Sequence, residues 1–211
     1  MDSYDDSFVT AAHVALDLVT RPEVAARWEA PSALPEMTVG MLACHLGRQS
    51  VRAAELLPVS SSEAPLREAA EHYRRATWVR ATDLDDPAND RSTDEAEASQ
   101  GFAVMRDRWA EAVGSVGRLL GDGGAVDVVA LPWQGWSLRR PDLLLTRMVE
   151  IVVHADDLAR SIDVPTPPFP DDVFLPVLHL LAELATERHG QAAIISALSR
   201  RERMPETVSA F

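Results

Sequence analysis

Cysteine is nearly absent from this chain: of 211 residues only one, Cys44, is a cysteine. A single thiol excludes an internal disulfide and any cysteine-rich zinc module, so whatever chemistry exists must use other ligands or a thiol supplied from outside. Long apolar runs are missing too, and none approaches the roughly 20 residues of a transmembrane helix. The acidic start Met1-Asp-Ser-Tyr-Asp-Asp6 lacks the basic-then-apolar order of a secretion signal, so the expected location is cytoplasmic. Positive charge is in deficit, with a formal net charge of −13 that works against attraction to phosphate backbones and anionic lipid. Nucleic acid and membrane are therefore not expected partners. What the chain does have is 46% hydrophobic and 25% charged residues, enough to bury a full core in one domain with a small appendage.

Apolar spacing predicts mostly helix. Phe8, Ala11, Ala12, Ala15, Leu16 and Val19 form a helical stripe over 3–20 that Arg21-Pro22 interrupts. Thr38 is placed to cap a second helix that carries His45 and ends before Pro58. A third helix is expected from Leu66 to about Leu84, with Ala70, Tyr73, Thr77 and Trp78 inward and His72 exposed among charged neighbours. The run Asp83 to Asp90 reads as a loop, and Ser92-Thr93-Asp94-Glu95 as the capped start of a long fourth helix reaching Leu120. Residues 125–138 break the helical rhythm with β-branched residues and Pro132-Trp-Gln-Gly-Trp136, which predicts an extended segment or short hairpin. After the stiff connector Val164 to Pro170, two further helices are expected over 171–189 and 191–201. His13, His179 and His189 read as packing or surface residues.

The helix after the hairpin is apolar in nearly every direction, from Leu144 and Leu145 to Leu158 and Ile162, which argues for packing on several sides. One polar line interrupts it. Arg147, Glu150, His154, Asp157 and Ser161 recur three and four apart, so they share one face. A carboxylate in such surroundings needs a partner, and a divalent cation would serve. Glu150 and His154 one turn apart are able to point an oxygen and an imidazole nitrogen at one spot, and His45, facing the seam between helices, completes a two-imidazole, one-carboxylate set. The plainer reading is a narrow wet face. Asp157 is placed either to accept from a ligand imidazole or to pair with Arg147; Arg147 either neutralises these carboxylates or holds the carboxylate of a ligand. Trp133 and Trp136 are candidates for the wall of a pocket, or for ordinary core. Cys44, about 100° around the helix from His45, reads as a buried structural thiol.

The segments Thr38-Val-Gly-Met-Leu-Ala-Cys-His45-Leu and Arg147-Met-Val-Glu150-Ile-Val-Val-His154-Ala-Asp-Asp157-Leu resemble the two signature stretches of the mycothiol-dependent maleylpyruvate isomerase family, part of the DinB-like superfamily. The resemblance covers about residues 3–165. It implies an all-α, up-and-down four-helix bundle, here over 1–165; residues 166–211 read as a C-terminal helical extension packed on it. It further implies that His45, Glu150 and His154 hold a divalent metal, zinc before nickel, iron or manganese, with mycothiol as thiol cosubstrate. The implied activity is a thiol-S-transferase or isomerase acting on an electrophilic small molecule, the protein being monomer or homodimer. A metal-binding protein without catalysis, with a stress or ligand-binding role, is the alternative. The isomerase also carries a C-terminal α/β domain similar to sterol-carrier modules; after Pro170 this chain reads as two helices and a tail instead.

Overall fold

Four long helices carry the core, two of them buried on several sides. The computed structural model describes residues 3–80 and 90–211. Helix α1 (Asp5–Val19) turns Phe8, Ala11, Ala12, Ala15, Leu18 and Val19 inward. After the short α2 (Pro22–Ala26), α3 (Val39–Leu56) starts where the Thr38 hydroxyl accepts from the Met41 amide at 3.1 Å, satisfying one of the orphan donors of the first turn. Numbering onward through α4 (Ala69–Arg75) and α5 (Ser92–Ala98), the remaining bundle helices are α6 (Phe102–Gly121) and α7 (Arg140–Ser161). Both α1 and α3 pack against α6 and α7, so the four close a ring, with α1 also touching α3. This is the expected all-α four-helix bundle, and its interior is one continuous apolar cluster.

The hairpin expected before α7 is present. Strands β1 (Val128–Leu131) and β2 (Trp136–Arg139) pair antiparallel, Val128 opposite Arg139 and Leu131 opposite Trp136. Gly135 in the turn takes a φ of 77°, which side chains with a Cβ resist. The linker after α3 crosses this hairpin, Ser61 N donating to Val128 O and Leu66 N to Ser137 O. Pro141 sits in the first turn of α7, where its missing N–H has no cost.

Three expectations are corrected. The third helix runs only from Ala69 to Arg75, because Leu66 is committed to the hairpin and Ala76 turns extended; Trp78–Arg80 form a 3₁₀ turn. The end of that predicted helix near Leu84, and the loop from Asp83 to 89, lie outside the described residues. The fourth helix is two: Gly101, at φ 85°, stops α5 and starts α6 in a new direction, so α5 lies against α3. His72 is buried rather than exposed, 3% accessible, because the shortened α4 sits against α7 and the hairpin.

Helix α8 (Asp171–His189) packs on α1, α4 and α7, and is followed by α9 (Gln191–Ser199). The chain then returns, and the Phe211 ring packs 5.1 Å from Tyr73 and 5.2 Å from Trp78. No helix among the described residues is long and apolar enough to cross a membrane.

Close approach of α3 and α6 depends on a glycine. The place a Cβ would take on Gly47 is filled by the indole of Trp109, itself 1% exposed. Gly47→Ala therefore forces the bundle apart, with an expected loss of about 1–3 kcal/mol in overpacking. The urea midpoint should fall with the slope unchanged. An unchanged midpoint would contradict this packing.

Candidate metal centre

His45 leaves the middle of α3, and Glu150 and His154 leave successive turns of α7, the helix that α3 packs against. Their ligating atoms all lie within 4.8 Å of one another. Glu150 Oε2 is 3.4 Å from His154 Nε2 and 3.9 Å from His45 Nε2. Three donors on a tetrahedral ion with bonds of about 2.1 Å stand ~3.4 Å apart, so this set fits a small divalent cation with little adjustment. The two rings meet edge to face, centroids 4.7 Å apart.

Each imidazole is held from behind. His154 Nδ1 lies 3.0 Å from Asp157 Oδ2, and His45 Nδ1 lies 3.3 Å from Asp94 Oδ1. A carboxylate at Nδ1 fixes the ring orientation and leaves Nε2 for the site, the arrangement common behind ligating histidines. Asp94 is steadied in turn by Arg48 at 2.7 Å, which also bonds Glu97 at 2.6 Å. Tyr73 donates to Thr146 O at 3.1 Å, and its hydroxyl lies 3.5 Å from Glu150 Oε1. Gln49 donates to His45 O and receives Arg147 Nη1 at 2.9 Å.

These contacts govern protonation. Burial opposes charge on His154, but bonds to Asp157 and Glu150 outweigh it and raise the ring's pKa to about 9. Burial also opposes charge on Glu150, yet His154, His45 and the charge of Arg147 pull its pKa well below the ordinary value. Asp94 follows the same pattern: burial raises it, and His45 and Arg48 more than reverse that. At neutral pH a proton on His154 thus stands where a cation would, beside an anionic Glu150. Cys44 is chemically quiet, its thiol pushed up to about 12 by burial first and then by Glu97.

The three residues open onto a cleft of about 450 Å³. Its walls include Arg48, Arg52, Arg147, His72, Trp78 and Trp133. Trp133 is exposed at the rim under the Arg52 guanidinium, 4.3 Å from the ring centroid. Trp136 stands one layer back, its indole donating to His72 Nδ1 at 3.3 Å. Arg147 bonds Gln49 and, at 3.4 Å, Thr146 Oγ1; among the described residues no carboxylate pairs with it. Asp157 takes up His154 and not Arg147.

Reading the chain alone missed Arg48 and Gln49, although three and four residues after His45 they fall on its face of α3. Tyr73 was read as an inward residue, without its link to Glu150. Asp94 carried no signal, because its role depends on the break at Gly101 that folds α5 onto α3. His72 was obscured by its charged neighbours.

Fold and site together define a class: a four-helix bundle with two imidazoles and a carboxylate converging at the foot of a cleft. Within it, the chain belongs to the mycothiol maleylpyruvate isomerase N-terminal domain family, whose model matches residues 9–159. Among solved structures, a crystal structure of a mutant of the mycothiol-dependent maleylpyruvate isomerase is similar, at 16% identity and a TM-score of 0.49. That match covers 87% of this chain and 70% of the other. No curated protein matches the chain.

The site wall has its own pH signature. Burial, then the charge of Arg147, lowers the His72 pKa from 6.5 to about 4. Between those values the unfolded chain binds the proton and the folded chain does not, so this stabilisation is complete above 6.5 and is lost as pH falls toward 4. The loss amounts to about 3 kcal/mol from a shift of this size. Denaturation of wild type and His72→Gln across pH 7 to 4 should show the variant lacking this component. Parallel pH curves would mean that His72 protonates freely in the fold.

Proposed function

We propose that His45, Glu150 and His154 hold one divalent metal ion, zinc before nickel, iron or manganese, and that the chain uses it with mycothiol to carry out thiol transfer to, or isomerisation of, an electrophilic small molecule. The observation that carries the reading is the convergence of three ligating atoms, each imidazole backed by its own carboxylate, at an open cleft. Family membership supports mycothiol as the thiol. A divalent metal, when bound, lowers the pKa of a coordinated thiol and so makes thiolate available at neutral pH.

The chain's own residues supply the rest. Glu150 brings the negative charge that a dication needs, while Asp157 and Asp94 keep both imidazoles turned inward. Three protein donors leave positions open, which suits a reactive site rather than a structural one. Arg147, bonded to an amide and a hydroxyl instead of an acid, retains donors for a ligand carboxylate and would set the electrophile's orientation. Trp133 offers an exposed apolar face beside Arg52 for the body of the thiol or substrate.

Metal analysis tests the centre. Purified wild type dialysed against zinc should retain about one equivalent, and His45→Ala, Glu150→Ala and His154→Ala should each lose most of it, by tenfold or more in affinity. Mycothiol should bind, by calorimetry, only to the zinc-loaded form. Wild type that takes up no zinc, or a Glu150→Ala variant that keeps it, would sink the proposal.

Arg147→Lys separates its two possible roles. Lysine keeps the charge but not the fork, so metal content should be unchanged while a carboxylate-bearing ligand such as maleylpyruvate binds on the order of tenfold more weakly. Equal affinities would make Arg147 a structural residue held by Gln49.

A further inference from the structure

The mechanism above leaves one buried, cleft-lining histidine unused. His72 is 3% exposed yet contributes to the wall shared with Arg147 and Glu150. Its Nδ1 faces Trp136 Nε1 at 3.3 Å. An indole nitrogen is only ever a donor, so Nδ1 must be the acceptor and the hydrogen of the neutral ring must sit on Nε2. The neutral form is the one present at neutral pH, because burial and Arg147 outweigh the pull of Glu150. Trp136 is itself held in β2, and Tyr73 also meets the imidazole in a T-shaped contact, centroids 5.1 Å apart. The ring thus has two aromatic neighbours and one tautomer selected.

No protein group among the described residues accepts from His72 Nε2, and this nitrogen is not among the buried polar atoms lacking a partner. It therefore has access to the cleft. A neutral imidazole N–H is a distinctive tool there. It donates a hydrogen bond to an oxygen that gains negative charge, without the strong ground-state attraction that a cation would exert on any anion.

We infer that His72 is a catalytic residue, presenting Nε2–H to the carbonyl oxygen of the electrophile and stabilising the enolate oxygen that forms on thiolate addition. The inference rests on the thiol chemistry proposed above. In that step the thiolate sulfur forms a bond to the β-carbon of a carbonyl-conjugated alkene, and the alkene π pair moves to make the enolate, its charge on the carbonyl oxygen. The former double bond is now single and rotates. Collapse of the enolate expels the thiolate and restores the alkene, or a proton taken from water at the α-carbon leaves a thioether. Arg147 on the substrate carboxylate and His72 on the carbonyl would fix the two ends of such a molecule in the cleft.

The test uses the full chain, zinc-treated, with histidine labelled in ¹⁵N, and (E)-4-oxopent-2-enoate as the probe, a small alkene with a ketone at one end and a carboxylate at the other. Without thiol the probe binds and does not react. The free protein should show His72 with Nδ1 bare and Nε2 protonated at pH 7, and saturation should move the Nε2–H proton downfield. His72→Phe should bind the probe on the order of tenfold more weakly, while His72→Gln, whose amide N–H₂ reaches a similar place, should bind within a few-fold of wild type. With mycothiol added, adduct formation should slow 10²-fold or more in His72→Phe and recover in large part in His72→Gln. A protonated Nδ1, an unmoved Nε2–H at saturation, absence of binding, or equal behaviour of His72→Phe and wild type would each overturn the inference. The two readings fail separately. A probe that binds and shifts Nε2–H, but forms no adduct with zinc and mycothiol, removes the thiol chemistry and leaves the hydrogen bond. Adduct formation that ignores His72→Phe removes His72 and leaves the thiol chemistry.

Discussion

Placing Glu150 in the middle of α7, among the buried Met148, Val149 and Ile151, obliges the surrounding helices to supply positive charge, since an unpaired carboxylate at that depth costs several kcal/mol. The bundle answers from three directions. His154 comes from the next turn of the same helix, His45 from α3, and Arg147 adds its field from the preceding turn. Each of those groups brings a need of its own, so Asp157 and Asp94 stand behind the imidazoles and Gln49 behind the guanidinium. A chain of alternating charge thus grows outward from one residue until it reaches Arg48 and Glu97 near the surface of α5.

The same logic separates what could be read from the chain alone from what could not. The Glu150, His154 and Asp157 line was visible because all three lie on one helix, where spacing translates directly into position. The four bundle helices, the Thr38 cap and the hairpin were visible for a similar reason, being written in local periodicity and turn chemistry. Asp94 was not, since its place is decided by the positive φ of Gly101, which a single glycine after Ser99-Gln100 only hints at. His72 was misjudged because charged neighbours dominate its local pattern, whereas its burial is decided by a hairpin more than 50 residues away. Local signals fix elements; contacts across the fold decide what those elements hide.

Charge is unevenly distributed around the cleft. A chain with net charge −13 repels anions at long range, yet Arg48, Arg52 and Arg147 gather at this one opening. Arg48 is consumed by Asp94 and Glu97 and Arg52 stands 3.8 Å from Glu55, while Arg91 and Arg147, which also line the cleft, have no ion-pair partner among the described residues. An anion therefore meets attraction only once it is within roughly a Debye length of the mouth, about 8–10 Å at ordinary ionic strength. Small acids are able to come that close; extended polyanions meet the acidic surface first.

Support for the site also comes from the far end of the chain. Tyr73, whose hydroxyl reaches Thr146 and Glu150, is backed on its outer side by Phe211, and Phe211 in turn touches Trp78 on the cleft wall. The Tyr73 hydroxyl is held far toward its neutral form, by burial first and then by Glu150, so it serves as a fixed donor and not as a titrating group. Its direction depends on the ring staying where it is. Helix α8 lies against α4 and α7, and Arg74 on α4 is tied to Glu183 and Glu187 on α8. Those exposed ion pairs contribute little on their own. Their role is registry: they hold α4 against α8 while the returning tail closes over Tyr73, so the orientation of a hydroxyl beside Glu150 is set partly by residues more than 60 positions further along the chain.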